Sequence, residues 1–205
     1  ETVVGDSVNN FKVLDDISSF TATFDGSASS VVDTTNNTIR VPKHRFVQGQ
    51  RVVYNNGGGS NIGNISSGTA YYVTFDTAHT IKLATSLLNA NNQNNINILS
   101  VGSGSSHTLT AAFDGVNTKF KLTHGSGETI RVVNPAQLNV AINNVVQRPN
   151  INDASFTEGF AITDTEKIVF KIAPSVNDIF WGSLIGETIE TCLLYTSPSP
   201  RDCLL

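Results

Sequence analysis

The chain of 205 residues has no methionine and two cysteines, Cys192 and Cys203, both within its last fourteen positions. Ahead of them it therefore has no disulfide framework and no cysteine nucleophile. A disulfide between the two is open to a secreted chain. A zinc site, which needs three or four ligands, finds no His or Asp cluster beside them. Charge is scarce as well: 15% of residues are Asp, Glu, Lys or Arg, the net charge is −4, and the basic residues are scattered. Nucleic acid is thus not an expected partner, because phosphate recognition needs basic side chains gathered on one face. No apolar run approaches the ~20 residues that span a bilayer, so membrane insertion is not expected. No charged-then-apolar leader opens the chain. It starts at Glu1, and "ETVVGDSVNNFKVLDDISS" reads as though it begins in mid-protein, so further chain upstream is expected.

What is present is 39% hydrophobic residues set among abundant Asn, Ser, Thr and Gly. β-Branched residues suit pleated surfaces, while Asn, Gly, Ser and Asp supply the conformations that turns require. Short β-prone runs at 38–41, 51–54, 70–75, 80–84, 95–100 and 107–111 are separated by Asn, Gly and Ser, and "FDTAHT" reads as a hairpin connection. Further runs lie at 120–122, 137–142, 145–147, 160–162, 167–172 and 179–184. Leu138, Val140 and Ile142 alternate, as do Ile168, Phe170 and Ile172, so each set is expected on one buried face. Asn143-Asn144 reads as a tight hairpin turn, and Pro135 as the first residue of one helical turn over 135–137.

One internal echo stands out: "TATFDG" at Thr21–Gly26 returns as "TAAFDG" at Thr110–Gly115, each run closing on Asp-Gly. The fold class expected is all-β, two small antiparallel β modules in series. Residues 1–20 would end a preceding module or act as a connector, 21–109 form a barrel-like first module, 110–190 a sandwich-like second, and 191–205 an unstructured tail.

Motifs with chemical potential are few. "NNGGGSNIG" at 55–63 is glycine-rich, but it lacks the Lys-Ser or Lys-Thr and following helix of a phosphate loop, and reads as a flexible hairpin loop. His44, His79, His107 and His124 do not pair at ligand spacing, each sits at a turn or strand start, and all are expected exposed or half-buried; no metal and no cofactor is expected. Asp15, Asp16, Glu128, Glu158, Asp164 and Glu166 lie mostly in turns, where a glycosidase would need two carboxylates facing across a cleft. With no G-x-S-x-G elbow either, no enzyme is expected. The single tryptophan, Trp181, ends an apolar strand beside Phe180 and reads first as core. Exposed, it would stack on a sugar ring, and Trp181, Tyr71 and Tyr72 are the candidate glycan contacts.

Two resemblances follow. "FDGVNTKFKLT", "VVNPAQLNVAINNVVQRPN" and "FAITDTEKIVFKIAPSVNDIFWGSLIG" together resemble a module of marine tailed-bacteriophage virion proteins, particularly tail fibres and tail-associated structural proteins. Asn144 departs from that pattern, where glycine is frequent. "HRFVQGQRVVYNNGGG", "GTAYYVTFDTAHTIKLATS" and "VGSGSSHTLT" look like a second module found beside it, similar in outline to a small barrel of ubiquitin-activating enzymes; that likeness implies no ligase chemistry. The virion resemblance implies a non-catalytic tail-fibre or appendage spacer supporting host attachment, located in the virion tail and extracellular when assembled. It also implies other tail proteins as partners, trimerisation and contact with a host glycan. The alternative is a carbohydrate-binding adhesin module of a marine bacterium.

"CLLYTSPSPRD" at 192–202 resembles a translated sequencing adapter, a laboratory scar that would carry no fold. The gene would then have continued past Thr191. Deleting residues 192–205 is expected to leave the thermal unfolding midpoint unchanged under reducing conditions; a fall of several degrees would show that the tail packs.

Overall fold

The computed structural model describes residues 11–125 and 127–185. The stretch 192–205, with both cysteines, lies outside them, as do 1–10 and 186–191. The described residues are nearly all β, in sheets that are antiparallel except for one short parallel pair joining 149–150 to 160–161.

The first part of the chain contains β1 (Phe11–Val13), β2 (Ser19–Phe24), β3 (Val32–Asp33), β4 (Thr38–Arg40), β5 (Arg51–Asn55), β6 (Ala70–Phe75) and β7 (Thr80–Ala84). A short helix α1 (Leu87–Asn91) and β8 (His107–Ala112) follow. Seven of these strands form one sheet in the order β2, β8, β5, β6, β7, β4, β3, every neighbouring pair antiparallel, and the sheet curls into a half-barrel. Alternation decides what fills it: Val52 and Tyr54, Tyr71 and Val73, Ile81 and Leu83, and Leu109 and Ala111 point inward to one core shared with Phe24, Ile39, Phe46, Ile62 and Ile98.

A chain of polar contacts crosses that core. The Ile62 amide donates to the Tyr54 hydroxyl (3.2 Å), which lies 2.7 Å from Nδ1 of His107, and Nε2 of His107 lies 3.0 Å from the Ser103 carbonyl. A carbonyl only accepts, so Nε2 carries the proton and Nδ1 takes the tyrosine's. His107 is completely buried, contrary to the sequence expectation. Its ring fits because Gly26 and Gly102 leave room: a Cβ on either would strike it. The glycine-rich stretch 55–63 opens the connection of the β5–β6 hairpin, as expected, and within it Gly59 and Ser60 lie against Ser103. A Cβ at Gly59 would collide with the Ser103 carbonyl, and Ser60 N–H donates to Ser103 Oγ at 2.8 Å.

The rest of the chain adds β9 (Lys119–Lys121), β10 (Thr123–His124), β11 (Glu128–Thr129), a 3-10 turn (Pro135–Gln137), β12 (Leu138–Ile142), β13 (Val145–Val146), β14 (Pro149–Asn150), β15 (Phe160–Thr163), β16 (Lys167–Phe170) and β17 (Phe180–Ile185). One four-stranded sheet runs β1, β17, β12, β13; another runs β14, β15, β16, β9; and β10 with β11 forms a small hairpin. Leu138, Val140, Phe180 and Leu184 from the first share a core with Phe120, Phe160, Ile168 and Phe170 from the second, which makes the pair a sandwich. Phe113, Phe120 and Phe170 meet edge-on at its centre, with ring centroids 5.0–6.2 Å apart. Asn143 and Asn144 both take positive φ, 51° and 64°, and close the β12–β13 hairpin as expected. Asn134 and Gln137 cap the 3-10 turn reciprocally.

The two cores are joined through one ribbon. Leu14 and Ile17, ahead of β2, and Phe113, just after β8, belong to the sandwich core, and β1 is a strand of the sandwich. The chain thus leaves the sandwich along β2 and returns along β8, strands that pair from Ser19↔Ala112 to Phe24↔His107. Position 110, the expected start of the second module, lies inside β8, and residues 11–17 of the expected connector carry β1 and two core side chains. The echoed hexapeptides meet at a single pair, Thr21 directly opposite Thr110 with their hydroxyls 2.9 Å apart, and run in opposite directions along the ribbon from there.

Three sequence expectations are corrected. Residues 95–100 form no strand: Ile96 N–H donates to the Leu83 carbonyl and Ile98 N–H to Asn37 Oδ1, so the run buries Ile98 without joining a ladder. α1 was not expected; Ser86 caps it, accepting from the Asn89 amide, and only Ala90 is buried. Ile172 is exposed because β16 ends at Phe170.

Tyr54→Phe would leave the Ile62 amide and His107 Nδ1 without their shared partner. It is expected to lower stability by ~1–3 kcal/mol in chemical denaturation, with an unchanged denaturant slope; an effect within error would remove the relay from the account.

Candidate functional site

Two surfaces are built well enough to be considered. The first is an open cleft of about 1240 Å³ where the half-barrel meets the sandwich. Lys43, His44, Arg45 and His79 reach it from loops around β4 and β7, and Asp15, Lys121 and Glu128 from the sandwich side. Both charge signs are present, so no single-sign field develops, and the residues suit hydrogen bonding to a polar group more than ion capture.

The geometry explains how each side chain is held. Asp15 accepts from the Thr123 hydroxyl (2.7 Å) and the Gly127 amide (2.8 Å), holding both β10 and the residue leading into β11 to one carboxylate. Arg45 lies over the Phe20 ring at 4.8 Å and donates to the Asp16 carbonyl at 2.9 Å, tying the two units at the cleft floor. His79 Nδ1 accepts from the Lys43 amide at 3.1 Å. The remaining candidate carboxylates are dispersed: Glu158 pairs with Arg148 at 3.0 Å and Asp164 with Lys167 at 2.9 Å, both outside the cleft.

His44 is buried, against expectation, between Phe46 and Phe75. Nε2 donates to the Thr77 carbonyl at 2.8 Å, while Nδ1 is buried and has no hydrogen-bond partner among the described residues. Burial first, and Lys121 nearby, hold this imidazole below its ordinary range and keep it neutral.

The second surface is the outer face of the β1–β17–β12–β13 sheet. Along β17, Phe180, Gly182 and Leu184 turn to the core, so Trp181 must turn away, and it is 46% exposed. The core reading of Trp181 is therefore corrected, and the signal was in the sequence: adjacent residues of one strand cannot both face one core. A Cβ at Gly182 would come within 2.7 Å of Leu14, which packs the inner face at that point. The three candidate glycan contacts are not gathered in one strand or sheet. Tyr71 is buried in the half-barrel with its hydroxyl accepting from the Ser66 amide at 2.8 Å, Tyr72 is half-buried on the same strand, and Trp181 stands on the sandwich. Comparison with protein families, with curated proteins and with solved structures gives no match to this chain.

Because the folded-state affinity of His44 for a proton is depressed, the unfolded chain binds more protons below its ordinary value of 6.5. The stabilisation from neutral His44 is thus complete above that pH and is lost as pH falls below it. In thermal melts, the gap between wild type and His44→Gln is expected to narrow from about pH 7 to about pH 5; a gap constant with pH would contradict the assignment.

Proposed function

We propose that the chain is a non-catalytic structural module of a phage virion appendage, a tail fibre or related tail protein that supports host attachment. The sequence resemblance suggests it, and one structural observation supports a mechanical role: the joint between the two cores is doubly fastened. Asn117, 6% exposed, accepts the Arg51 amide proton (2.7 Å) and donates to the Arg51 carbonyl (3.1 Å), while the Arg51 guanidinium pairs with Asp114 at 3.1 Å. A side-chain amide bridging the backbone of β5 to the segment after β8 behaves as an extra rung of sheet. With the β2–β8 ribbon beside it, force on one unit passes to the other without bending at a linker.

A second reading, a carbohydrate-binding adhesin module, is favoured by one observation, the exposure of the Trp181 ring. A sugar site also needs polar partners for the hydroxyls around the ring. The register sets Ala141 opposite Trp181 with Val146 beyond it, and the nearest polar side chains are the buried Ser183 and the single amide of Asn139, few partners for a sugar.

Immunogold labelling of purified particles of a tailed phage encoding this sequence, with antibody raised against the chain, is expected to decorate the tail. Detection in infected-cell lysate with none on purified particles would overturn the virion reading. Saturable binding to host polysaccharide that is lost in Trp181→Ala would favour the adhesin instead.

A further inference from the structure

The outer face of the β1–β17–β12–β13 sheet is defined by register. Phe11↔Ile185, Val13↔Ser183, Asn139↔Ser183, Ala141↔Trp181 and Ala141↔Val146 stand opposite one another, so these eight residues share one side. Five are large, apolar and open to solvent: Phe11 60%, Val13 55%, Val146 69%, Trp181 46% and Ile185 57%. None of the eight is ionisable. Eight outward positions, at ~4.8 Å between strands and ~6.6 Å between successive outward residues, cover roughly 250 Å² in projection. A patch of that size is ordinary for a soluble chain, so its composition and not its area sets it apart.

We propose that this face is a self-association surface, taken by the same face of a second copy in a two-fold dimer. Three features select that occupant. The face carries no charge, so a second copy brings none to desolvate, whereas a charged partner would have to bury its own without a counter-ion. Its texture is self-complementary: Ala141 and Ser183 are buried low points beside Trp181, Val13 and Val146, and a two-fold rotation sets raised side chains against low ones. Trp181 closes one end of the outward set of β17, and tryptophan is among the side chains that most often dominate interface energetics. The face is smaller than the ~800 Å² per partner of a standard interface, so the dimer is weak and concentration-dependent. The inference stands on this face alone and does not depend on the virion reading.

The test uses the full chain under reducing conditions, which removes any contribution from Cys192 and Cys203. Trp181 is the chain's only tryptophan, so its emission reports from the face itself. Across a hundredfold range of concentration, sedimentation velocity is expected to pass from monomer to dimer, with the emission shifting to the blue in step. Val146→Lys and Val13→Lys, each on an exposed side chain, are expected to keep the wild-type circular dichroism and melting midpoint while weakening dimerisation at least tenfold. Sedimentation and emission independent of concentration would overturn the proposal, whether the face is then bare or covered by the chain's own terminal residues. Association that survives both substitutions would overturn it too.

Discussion

The architecture depends on one strand pairing. β2 and β8, far apart in sequence, run antiparallel over six residue pairs, and through them the chain both leaves and re-enters the sandwich. Without that ribbon, Leu14 and Ile17 could not lie in the same core as Phe113, and β1 could not pair with β17. Each strand ends on the same chemistry. Asp25 accepts from the Ser27 amide and Asp114 from the Val116 amide, side-chain turns that redirect the backbone at both ends of the echo. The Asp114 turn also presents Asn117 to Arg51, so the element that ends the half-barrel locks it to the sandwich.

Polar groups inside the half-barrel follow the same economy. A long loop over a curled sheet brings backbone donors and acceptors out of water, and each must find a partner. Tyr54 and His107 serve the Ile62 amide and Ser103 carbonyl from within the core, while Asn37 and Asn64 serve residues 97 and 98. The abundance of asparagine in a chain poor in charge has a physical use here. An amide side chain both donates and accepts without the desolvation cost of an ion.

Much of this was legible in the sequence because it is local. Alternation gave most of the strands within a residue or two, Asn143-Asn144 gave its hairpin, and Pro135 its turn. What was not legible depends on distant partners. Burial of His107 needs Gly26 and Gly102 to leave space from two other segments, and burial of His44 needs Phe46 and Phe75 on either side. The echo announced two chemically similar strand ends but not that their strands pair, which sets the two Asp-Gly turns at opposite ends of the ribbon. At Trp181 two apolar neighbours hid the alternation, and only the inward set Phe180, Gly182, Leu184 fixes which face is outside. Asp15, Asp16, Glu128, His44 and His79 each stood out in the sequence, but not that one cleft gathers them, since they come from loops that only the ribbon brings together.

The central claim is that the ribbon and the Asn117 bridge make two cores behave as one body. Native-state hydrogen exchange measures this directly. Amides of β6 in the half-barrel and of β12 in the sandwich are expected to open with the same free energy and the same denaturant dependence, as parts of one cooperative unit. Two groups of amides opening with clearly different free energies and slopes, divided between half-barrel and sandwich, would contradict it.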